Sequence, residues 1–282
     1  MDITYEKYEA CHDFHALFEL FKNAFPKSKH FICDVQRYSS YLQWLYLDNP
    51  LGKPVGYNAY SGDTLVGHYV CIPCEWTQNS KIYRSLLSVN TAVHPKFQGQ
   101  GIFSVLAKKT YQTATNAQFD FVYAVSNQAS TPGFHKMGFD ILGPLNVHLS
   151  FSFQRLNHTY TKNPKKFTNT LSKNFLKWRM RRPFTNYQET GGRIISKPEN
   201  LPLRIVSRIN LDNNKIGVTV AKPALPLYVY IGTEVQQGMT MLPNWLRPTP
   251  LNLIYLPLKK SNIQIDNSAD LWCLDFLDFD LA

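Results

Sequence analysis

Residues 86–107 decide the fold, and they read LLSVNTAVHPKFQGQGIFSVLA. The stretch opens with an apolar run, rich in β-branched residues, that predicts a buried strand ending at Val93. Pro95 stops this strand, because proline cannot donate to a sheet ladder. Gly99 and Gly101 follow, and apolar residues at helical spacing begin at Ile102. The predicted order is therefore strand, glycine-containing loop, helix.

A loop of this kind predicts an anion site. Its backbone can turn several N–H groups toward one point, and the start of the helix adds unpaired donors and the positive end of its dipole. A phosphate or pyrophosphate is the natural ligand. A dinucleotide-binding fold would need a third glycine where Ser104 stands, and the Gly-Lys-Ser/Thr of a P-loop is absent.

A second motif lies downstream of the first. The apolar run 121–125 predicts another strand, and Ser126-Asn127 ends it. Thr131 and the proline after it are residues that favour a helix start, and Gly138 favours a helix end. A short helix is therefore expected between Asn127 and Phe139.

Together the two motifs resemble those of the GNAT superfamily of acyl-CoA-dependent N-acyltransferases. The acyl-CoA loop of that family reads Gln/Arg-x-x-Gly-x-Gly/Ala after a strand ending near His-Pro, and residues 98–103 read QGQGIF. The family's Asn, short helix and closing Gly-Phe correspond to Asn127 through Phe139. Two positions depart from the pattern: Phe103 replaces a small residue, and Phe134 replaces the tyrosine that usually acts as general acid.

The resemblance covers about residues 1–150 and implies an α/β (α+β) architecture. Residues 1–152 are expected to form an acyl-CoA-binding GNAT domain with a mixed, mostly antiparallel central sheet. A faint repeat extends the expectation, since YLQW at 41–44 is echoed by FLKW at 175–178. Residues 153–282 are therefore expected to form a degenerate second GNAT-like domain that lacks the CoA loop and contributes to the acceptor site.

The resemblance also implies how the donor would bind. The loop amides would hold the pyrophosphate, and a bulge in the strand ending at Val93 would offer an N–H to the thioester carbonyl. The pantetheine arm would enter between strands that part after Val93 and Val125. The expected cofactor-binding residues are Thr91, Ala92, Val93, Gln98, Gly99, Gln100, Gly101, Ile102, Phe103, Asn127 and Phe134.

The group that takes the proton from the acceptor amine stays open. Members of the family often place a glutamate early in the fourth strand, but residues 86–88 read LLS. The catalytic candidates are His68, Glu75 and His135, with His94 as a further candidate; each also fits a turn, packing or solvated position. Because an amino group on a sugar has a lower pKa than lysine, water remains an alternative, with proximity supplying most of the rate.

Patterns in the second half are weaker. A basic helix is predicted over the apolar positions Phe167, Leu171, Phe175 and Trp178. Short strands are predicted at residues 204–209, 217–221, 227–231, 251–256 and 271–279.

Composition and charge narrow the class of protein. The net charge of +10 lies almost wholly in the second half: residues 1–150 hold 12 Lys/Arg against 11 Asp/Glu, and the other 132 residues hold 18 against 9. No apolar run could span a bilayer, and the first residues lack the features of a signal peptide, so a cytoplasmic protein without a membrane partner is expected. Five scattered cysteines argue against a disulfide scaffold, and the C-x-x-C at Cys71 and Cys74 has no partner pair, so no metal is expected.

The leading functional hypothesis is transfer of an acetyl or short hydroxyacyl group from acetyl-CoA or another acyl-CoA to a dTDP- or UDP-linked amino deoxysugar. The stretches 48–52 and 66–69 resemble a GNAT subgroup associated with such sugars in surface-polysaccharide (lipopolysaccharide) biosynthesis. One alternative is acetylation of an aminoglycoside, a polyamine or a protein amine, although the basic second half disfavours cationic acceptors. Another class is a nucleic-acid-binding module built on residues 155–182, which carry nine basic residues and no acidic one. The leading hypothesis expects no nucleic-acid partner and leaves the oligomeric state open.

Overall fold

The computed structural model of the protein describes residues 2–10, 14–26, 34–151, 163–190, 193–199, 203–208, 227–247, 250–259 and 268–279. Its α-helices are α1 (His15–Ala24), α2 (Val35–Leu42), α3 (Ile102–Asn116), α4 (Thr131–Lys136) and α5 (Lys173–Arg179), and a π-helical turn, Gln43–Leu47, continues α2. Short 3-10 turns lie at Pro95–Phe97, Asn244–Leu246 and Ala269–Leu271.

The strands of the first half are β1 (Ile3–Lys7), β2 (Val55–Ser61), β3 (Thr64–Gln78), β4 (Lys81–Val93), β5 (Phe121–Ser126), β6 (Asp140–Pro144) and β7 (Asn146–Ser150). Those of the second half are β8 (Phe167–Asn169), β9 (Thr185–Thr190), β10 (Arg193–Pro198), β11 (Arg204–Arg208), β12 (Tyr228–Gly232), β13 (Thr240–Met241), β14 (Asn252–Pro257) and β15 (Trp272–Cys273).

The described strands form two sheets. The first has the order β1-β2-β3-β4-β5-β14-β6, with β8 attached to β3 and β15 to β8. Its pairs are antiparallel except β4 with β5 and β15 with β8. This mixed, mostly antiparallel sheet confirms the predicted GNAT-like architecture, and a second sheet of order β13-β7-β12-β11-β10-β9 provides the second half.

Helices cover both faces of the first sheet. On one face α3 buries Ile102, Leu106 and Ala107 against apolar side chains of β3, β4 and β5. On the other face α1, α2 and the π-helical turn pack in a large cluster that also takes apolar side chains from α5, β14 and β15. The second half therefore shares its core with the first.

The two sheets exchange strands. In the first sheet β5 pairs with β14, which comes from the second half, and β14 pairs in turn with β6. In the second sheet β12 pairs with β7, which comes from the first half, and β7 pairs in turn with β13. Each half thus lends a strand to the sheet of the other, and the first sheet does not stop at the predicted boundary between residues 152 and 153.

The second half repeats part of the first in its topology. The strands β9, β10 and β11 are antiparallel neighbours, as β2, β3 and β4 are, and β11 then pairs in parallel with β12 as β4 does with β5. At the junction the indoles of Trp44 and Trp178 stack with centroids 5.2 Å apart. Each indole Nε1 donates to the other residue's carbonyl over 2.7 Å. These are equivalent positions of the predicted sequence repeat.

Two predictions for the second half were wrong. The helix predicted from Phe167 begins only after Ser172, whose Oγ caps the helix by accepting from the N–H of Phe175, while Phe167–Asn169 is β8. The strand predicted over 271–279 is reduced to β15, because Asp275 and Asp278 accept backbone N–H groups at the following turn. The strand predicted at 217–221 lies outside the described residues.

Candidate active site at the parting of two strands

The site begins where β4 and β5 separate. Their parallel pairing is confined to Ser85–Leu87 on β4 and Phe121–Tyr123 on β5. Beyond these residues β4 runs on to Val93 and β5 runs on to Ser126 without pairing to each other. Because the strands are parallel, their C-terminal ends lie at the same edge of the sheet. A slot therefore opens in the middle of the sheet, next to the glycine loop.

The strand β4 bulges beside this slot. Val70 pairs with Val89 and His68 pairs with Ala92, so Asn90 and Thr91 together face one residue of β3. The backbone of Asn90 is left-handed, with φ 46°. This is the bulge that the resemblance to the GNAT family implied, and a bulge takes a residue out of the regular ladder. Of the three expected contact residues here, Thr91 and Val93 are half-buried and Ala92 is buried.

The glycine loop is open toward solvent. Gly99 and Gly101 both have φ of 77°, the left-handed region that favours glycine. A Cβ built on either residue would meet no atom within 4 Å, so the backbone is bare on that side. The Gln98 Nε2 donates to the carbonyl of Val93 over 3.0 Å and ties the loop to the end of β4.

Five successive amides of the loop are available to a ligand. The N–H of Gln98 donates to the carbonyl of Pro95 over 3.3 Å, so this member of the expected set is already used. Within the described part of the chain, the N–H groups of residues 99–103 donate to no protein acceptor. They surround the N-terminus of α3, a helix of 15 residues. An arrangement of this kind favours an anion with several oxygens, as a pyrophosphate has.

Phe103 and Phe134 are packing residues. The ring of Phe103 lies edge-on to Tyr69 at 5.6 Å and to Phe134 at 5.7 Å. Phe134 is 8% exposed and also contacts Phe139, at 5.1 Å. Neither ring can donate a proton to a thiolate leaving group, so the general acid common in the family has no counterpart at Phe134.

The side chain of Asn127 is partly engaged in hydrogen bonds within the turn that follows it. Its Oδ1 accepts from the N–H groups of Ala129 and Ser130, each over 3.0 Å, and so orders the start of α4. No partner of its Nδ2 is found among the described residues. This NH₂ group is the part of the side chain that can donate to a carbonyl of the pantetheine arm.

The three predicted catalytic residues lie far apart. His68 is buried opposite the bulge, on the face of the sheet covered by α1 and the π-helical turn. Glu75 lies seven residues further along β3, roughly 23 Å away, beside Arg84 near the start of β4. His135 is exposed on α4, and the further candidate His94 holds the 3-10 turn by accepting from the N–H of Lys96. Of the three, His68 pairs with Ala92 at the bulge of β4.

His68 is a neutral histidine at physiological pH. Burial lowers its pKa from 6.5 to about 3. Its Nδ1 lies 2.7 Å from Asn58 Oδ1, and its Nε2 lies 3.1 Å from the hydroxyl of Tyr46. The Nδ2 of Asn90 donates to the same hydroxyl over 3.0 Å. A buried polar chain therefore links His68 to the bulge.

Tyr46, Asn58 and Asn90 were not predicted as site residues from the sequence. They lie far apart along the chain and come together only when the sheet and the π-helical turn are formed. A signal was nevertheless present, since Asn58 and Asn90 interrupt apolar strand segments, where an amide needs a buried partner.

The C-x-x-C motif does not form a joint site. Cys71 packs in the cluster under α3, whereas Cys74 packs in the cluster on the other face of the sheet. Burial raises the pKa of the Cys71 thiol to about 12 and that of Cys74 to about 11. Both are free, buried thiols. In the described ranges no group of three or more His, Cys, Asp or Glu side chains is arranged to hold a metal.

Comparison with known families gives the class of protein. Residues 8–142 match the family model described as an acetyltransferase (GNAT) domain. This match begins just after β1 and ends within β6, and it includes the slot, the bulge and the glycine loop. Residues 8–142 are thus a GNAT acetyltransferase domain. The protein is an acyl-CoA-dependent N-acyltransferase, and its cosubstrate is acetyl-CoA or another acyl-CoA.

Solved structures share the fold over most of the chain. A probable N-acyltransferase from Enterococcus faecalis aligns with a TM-score of 0.61 at 10% identity, over 92% of this chain and 73% of that one. A GCN5-related N-acetyltransferase from Anabaena variabilis aligns with a TM-score of 0.60 at 11% identity, over 91% and 73%. Another from Kribbella flavida gives 0.58 at 7% identity, over 90% and 72%. These alignments extend into the second half, beyond the family match.

Among curated proteins, no sequence match was found. None of the helices in the described ranges has the length and apolar character needed to cross a membrane.

Proposed function

We propose that the acceptor is the amino group of a nucleotide-linked amino deoxysugar, carried on dTDP or UDP and destined for a surface glycan. The acyl group is acetyl or a short hydroxyacyl group. The observation that carries this proposal is the charge of the second half, which holds 18 Lys/Arg against 9 Asp/Glu over residues 151–282. A diphosphate-bearing acceptor is attracted by such a surface, whereas cationic aminoglycosides and polyamines are repelled.

A groove at the junction of the halves supports this proposal. It has a volume of about 680 Å³, ample for a nucleotide. Three lining residues of each half are equivalent, 134 positions apart: Ser40 and Asn174, Gln43 and Lys177, and Trp44 and Trp178. Its lining residues are Ser40, Gln43, Trp44, Asp48, Pro50, Asn174, Lys177, Trp178, Arg181 and Pro183.

The charges in the groove favour an anion. Lys177 and Arg181 are both exposed, and Asp48 is the single acidic residue in the lining. Gln43, Ser40 and Asn174 add neutral polar groups that can recognise a sugar or a base. We infer that this groove holds the nucleotide diphosphate of the acceptor.

His68, which pairs with Ala92 beside the slot, is a weak base because burial lowers its pKa to about 3. An acceptor amine that is partly unprotonated in solution can lose its proton to water, and proximity then supplies most of the rate enhancement. A sugar amine, which is less basic than the amine of lysine, meets this requirement.

The acceptor class is tested by following free thiol while the protein is incubated with acetyl-CoA and a panel of amines. The panel contains dTDP- and UDP-linked amino sugars, the same sugars without nucleotide, aminoglycosides, polyamines and a lysine peptide. Release with the nucleotide-linked sugars alone supports the proposal. Release with polyamines or the peptide alone overturns it, and salt-sensitive RNA binding without thiol release would favour the nucleic-acid module.

The groove is tested by the double variant K177Q/R181Q. We expect KM for the nucleotide sugar to rise about tenfold, equivalent to about 1.4 kcal/mol, because two charges that face the diphosphate are lost. KM for acetyl-CoA should stay the same. Lys173→Gln on the same helix is the matched control, since Lys173 is exposed but does not line the groove. An equal change in the control variant would contradict the assignment.

The described part of the basic segment 155–182 does not form a single exposed surface for nucleic acid. Arg179 is only 3% exposed, and its Nη2 donates to the carbonyl of Phe279 over 2.9 Å. Phe175 and Trp178 of the same helix are buried in the shared core. These contacts are structural, and they weaken the nucleic-acid alternative.

A further inference from the structure

A chain of hydrogen bonds runs beneath the bulge of β4. It starts at the half-buried Asn90, passes through the buried Tyr46 and His68, and continues to Asn58. The Nδ2 of Asn58 then donates to the hydroxyl of Tyr60 over 3.0 Å. Four elements contribute to it: the π-helical turn, β2, β3 and β4.

Each bond in this chain has a defined direction. Because Asn58 Oδ1 can only accept, the proton of the imidazole is on Nδ1 of His68. In a neutral imidazole the other nitrogen, Nε2, then accepts, so the hydroxyl of Tyr46 donates to it. The oxygen of Tyr46 in turn accepts from Asn90 Nδ2. Each of these three bonds therefore joins one donor to one acceptor.

This chain cannot carry a proton away from the acceptor amine. A proton passed from Tyr46 to His68 would have to leave Nδ1 toward the amide oxygen of Asn58, and an amide is not a base in this pH range. The rings of Tyr8 and Phe21 also cover the imidazole, with centroids 5.1 and 5.9 Å away. The directions of these hydrogen bonds are fixed, so we assign them the function of holding the local geometry.

The geometry it holds is that of the bulge. Asn90 is the residue with the left-handed backbone, and its side chain is anchored by a bond to Tyr46. Tyr46 belongs to the π-helical turn, a local widening of the helix of a kind that is frequent at functional sites. Anchoring Asn90 from below fixes the direction of the main-chain amides at residues 90 and 91, which lie beside the slot for the thioester.

We propose that Tyr46 and His68 are positioning residues for acyl transfer, which set the bulge amide that receives the thioester carbonyl by anchoring the side chain of Asn90. The acyl-transfer reaction needs that donor where negative charge develops on the carbonyl oxygen. Small displacements of such a donor are costly, since about 1 Å can change a rate by about 100-fold.

The test is isotope-edited infrared spectroscopy of bound acetyl-CoA labelled with carbon-13 at the carbonyl. In the wild-type protein the carbonyl stretch is expected at lower frequency than in water, because the bulge amide polarises the bond. In Tyr46→Phe the stretch should return toward the solution value. The affinity for acetyl-CoA should change less than about twofold, because the loop amides are intact. An unshifted wild-type carbonyl, or an unchanged Tyr46→Phe spectrum, overturns the proposal.

Tyr111→Phe is the matched control for Tyr46→Phe. The hydroxyl of Tyr111 is also buried and hydrogen-bonded, to Tyr69 over 2.8 Å, but Tyr111 belongs to α3, on the other face of the sheet. It should leave the carbonyl frequency unchanged. The rate of thiol release should fall about 10- to 100-fold in Tyr46→Phe and stay near the wild-type value in the control. Equal losses in both variants would show a merely structural effect and overturn the assignment.

Two further variants keep the proposal testable if Tyr46→Phe does not fold. Asn90→Gly keeps the positive φ but removes the anchored amide, so it should reproduce the infrared shift and the loss of rate. His68→Gln keeps an acceptor for Tyr46 and a donor for Asn58, so it should retain most of the activity that His68→Leu loses. Normal activity in Asn90→Gly, or equal loss in both His68 variants, would contradict a positioning role.

Discussion

His68 is enclosed by aromatic and amide side chains. Tyr8, Phe21 and Tyr46 face its ring, and Asn58 accepts from it, so no carboxylate among these neighbours stabilises a positive charge. Burial alone accounts for the low pKa of about 3. The histidine is therefore held neutral by its surroundings, and the free energy of unfolding must depend on pH.

The sign of this dependence follows from proton binding. Between pH 6.5 and 3 the unfolded state binds a proton at His68 that the folded state does not. The contribution of the neutral ring is fully present above pH 6.5 and is lost by about 1.4 kcal/mol per pH unit as the pH falls toward 3. Urea unfolding at pH 7 and pH 5 should show wild type losing about 2 kcal/mol more than His68→Gln. Equal losses would contradict this account.

In the glycine loop, a substitution is expected to weaken the binding of acetyl-CoA by more than its effect on protein stability explains. Gly101→Ala would place a Cβ in open space, where no atom clashes with it. The left-handed backbone at this position would nevertheless destabilise the folded alanine variant by about 1–2 kcal/mol. Relaxation of that strain would turn the loop amides away from the pyrophosphate. We expect KM for acetyl-CoA to rise about tenfold, or about 1.4 kcal/mol, measured by thiol release or calorimetry.

Gly62 provides the control for this loop. It also has a positive φ, 58°, and open space around an added Cβ, but it lies in the hairpin turn between β2 and β3. Gly62→Ala should lower stability as much as Gly101→Ala while leaving KM for acetyl-CoA at the wild-type value. A loop variant with unchanged KM would show that these amides do not hold the donor.

Local elements that bear a periodic or turn signal were predicted well. The run that ends at Val93, the glycine loop and α3 lie where the sequence indicated, because strand, proline, glycine and helix signals agree there. The strand predicted over residues 271–279 was wrong, because its apolar residues alternate with aspartates that cap a turn. The buried chain through Tyr46, Asn58 and His68 could not be predicted from spacing, since it depends on register between distant strands.

The exchange of β7 and β14 is the main feature of the whole molecule. Six residues of β14 pair with β5, and β14 also separates β5 from β6. Without β14 the edge of β5 and the start of α4 lose their support, although both lie at the donor site. Sequence patterns cannot reveal such an exchange, because β14 has the same apolar run whichever sheet receives it.

Truncation tests this interdependence and the predicted domain boundary together. Residues 1–152 produced alone should fail to fold into a protein that binds acetyl-CoA, because the first sheet would lack β14 and its core would lose α5 and β15. Co-production of residues 153–282 should restore a complex with binding near that of the full chain. Circular dichroism and calorimetry report both results. Full donor binding by residues 1–152 alone would mean that the halves are independent domains.

The central claim is that the loop amides and the slot hold the donor, and a crystal structure with acetyl-CoA bound tests it most directly. We predict pyrophosphate oxygens at about 2.7–3.2 Å from the N–H groups of residues 99–103. The pantetheine arm should lie between β4 and β5, with the thioester carbonyl facing Asn90 and Thr91. A pyrophosphate bound away from this loop, or an arm outside the slot, would contradict the account.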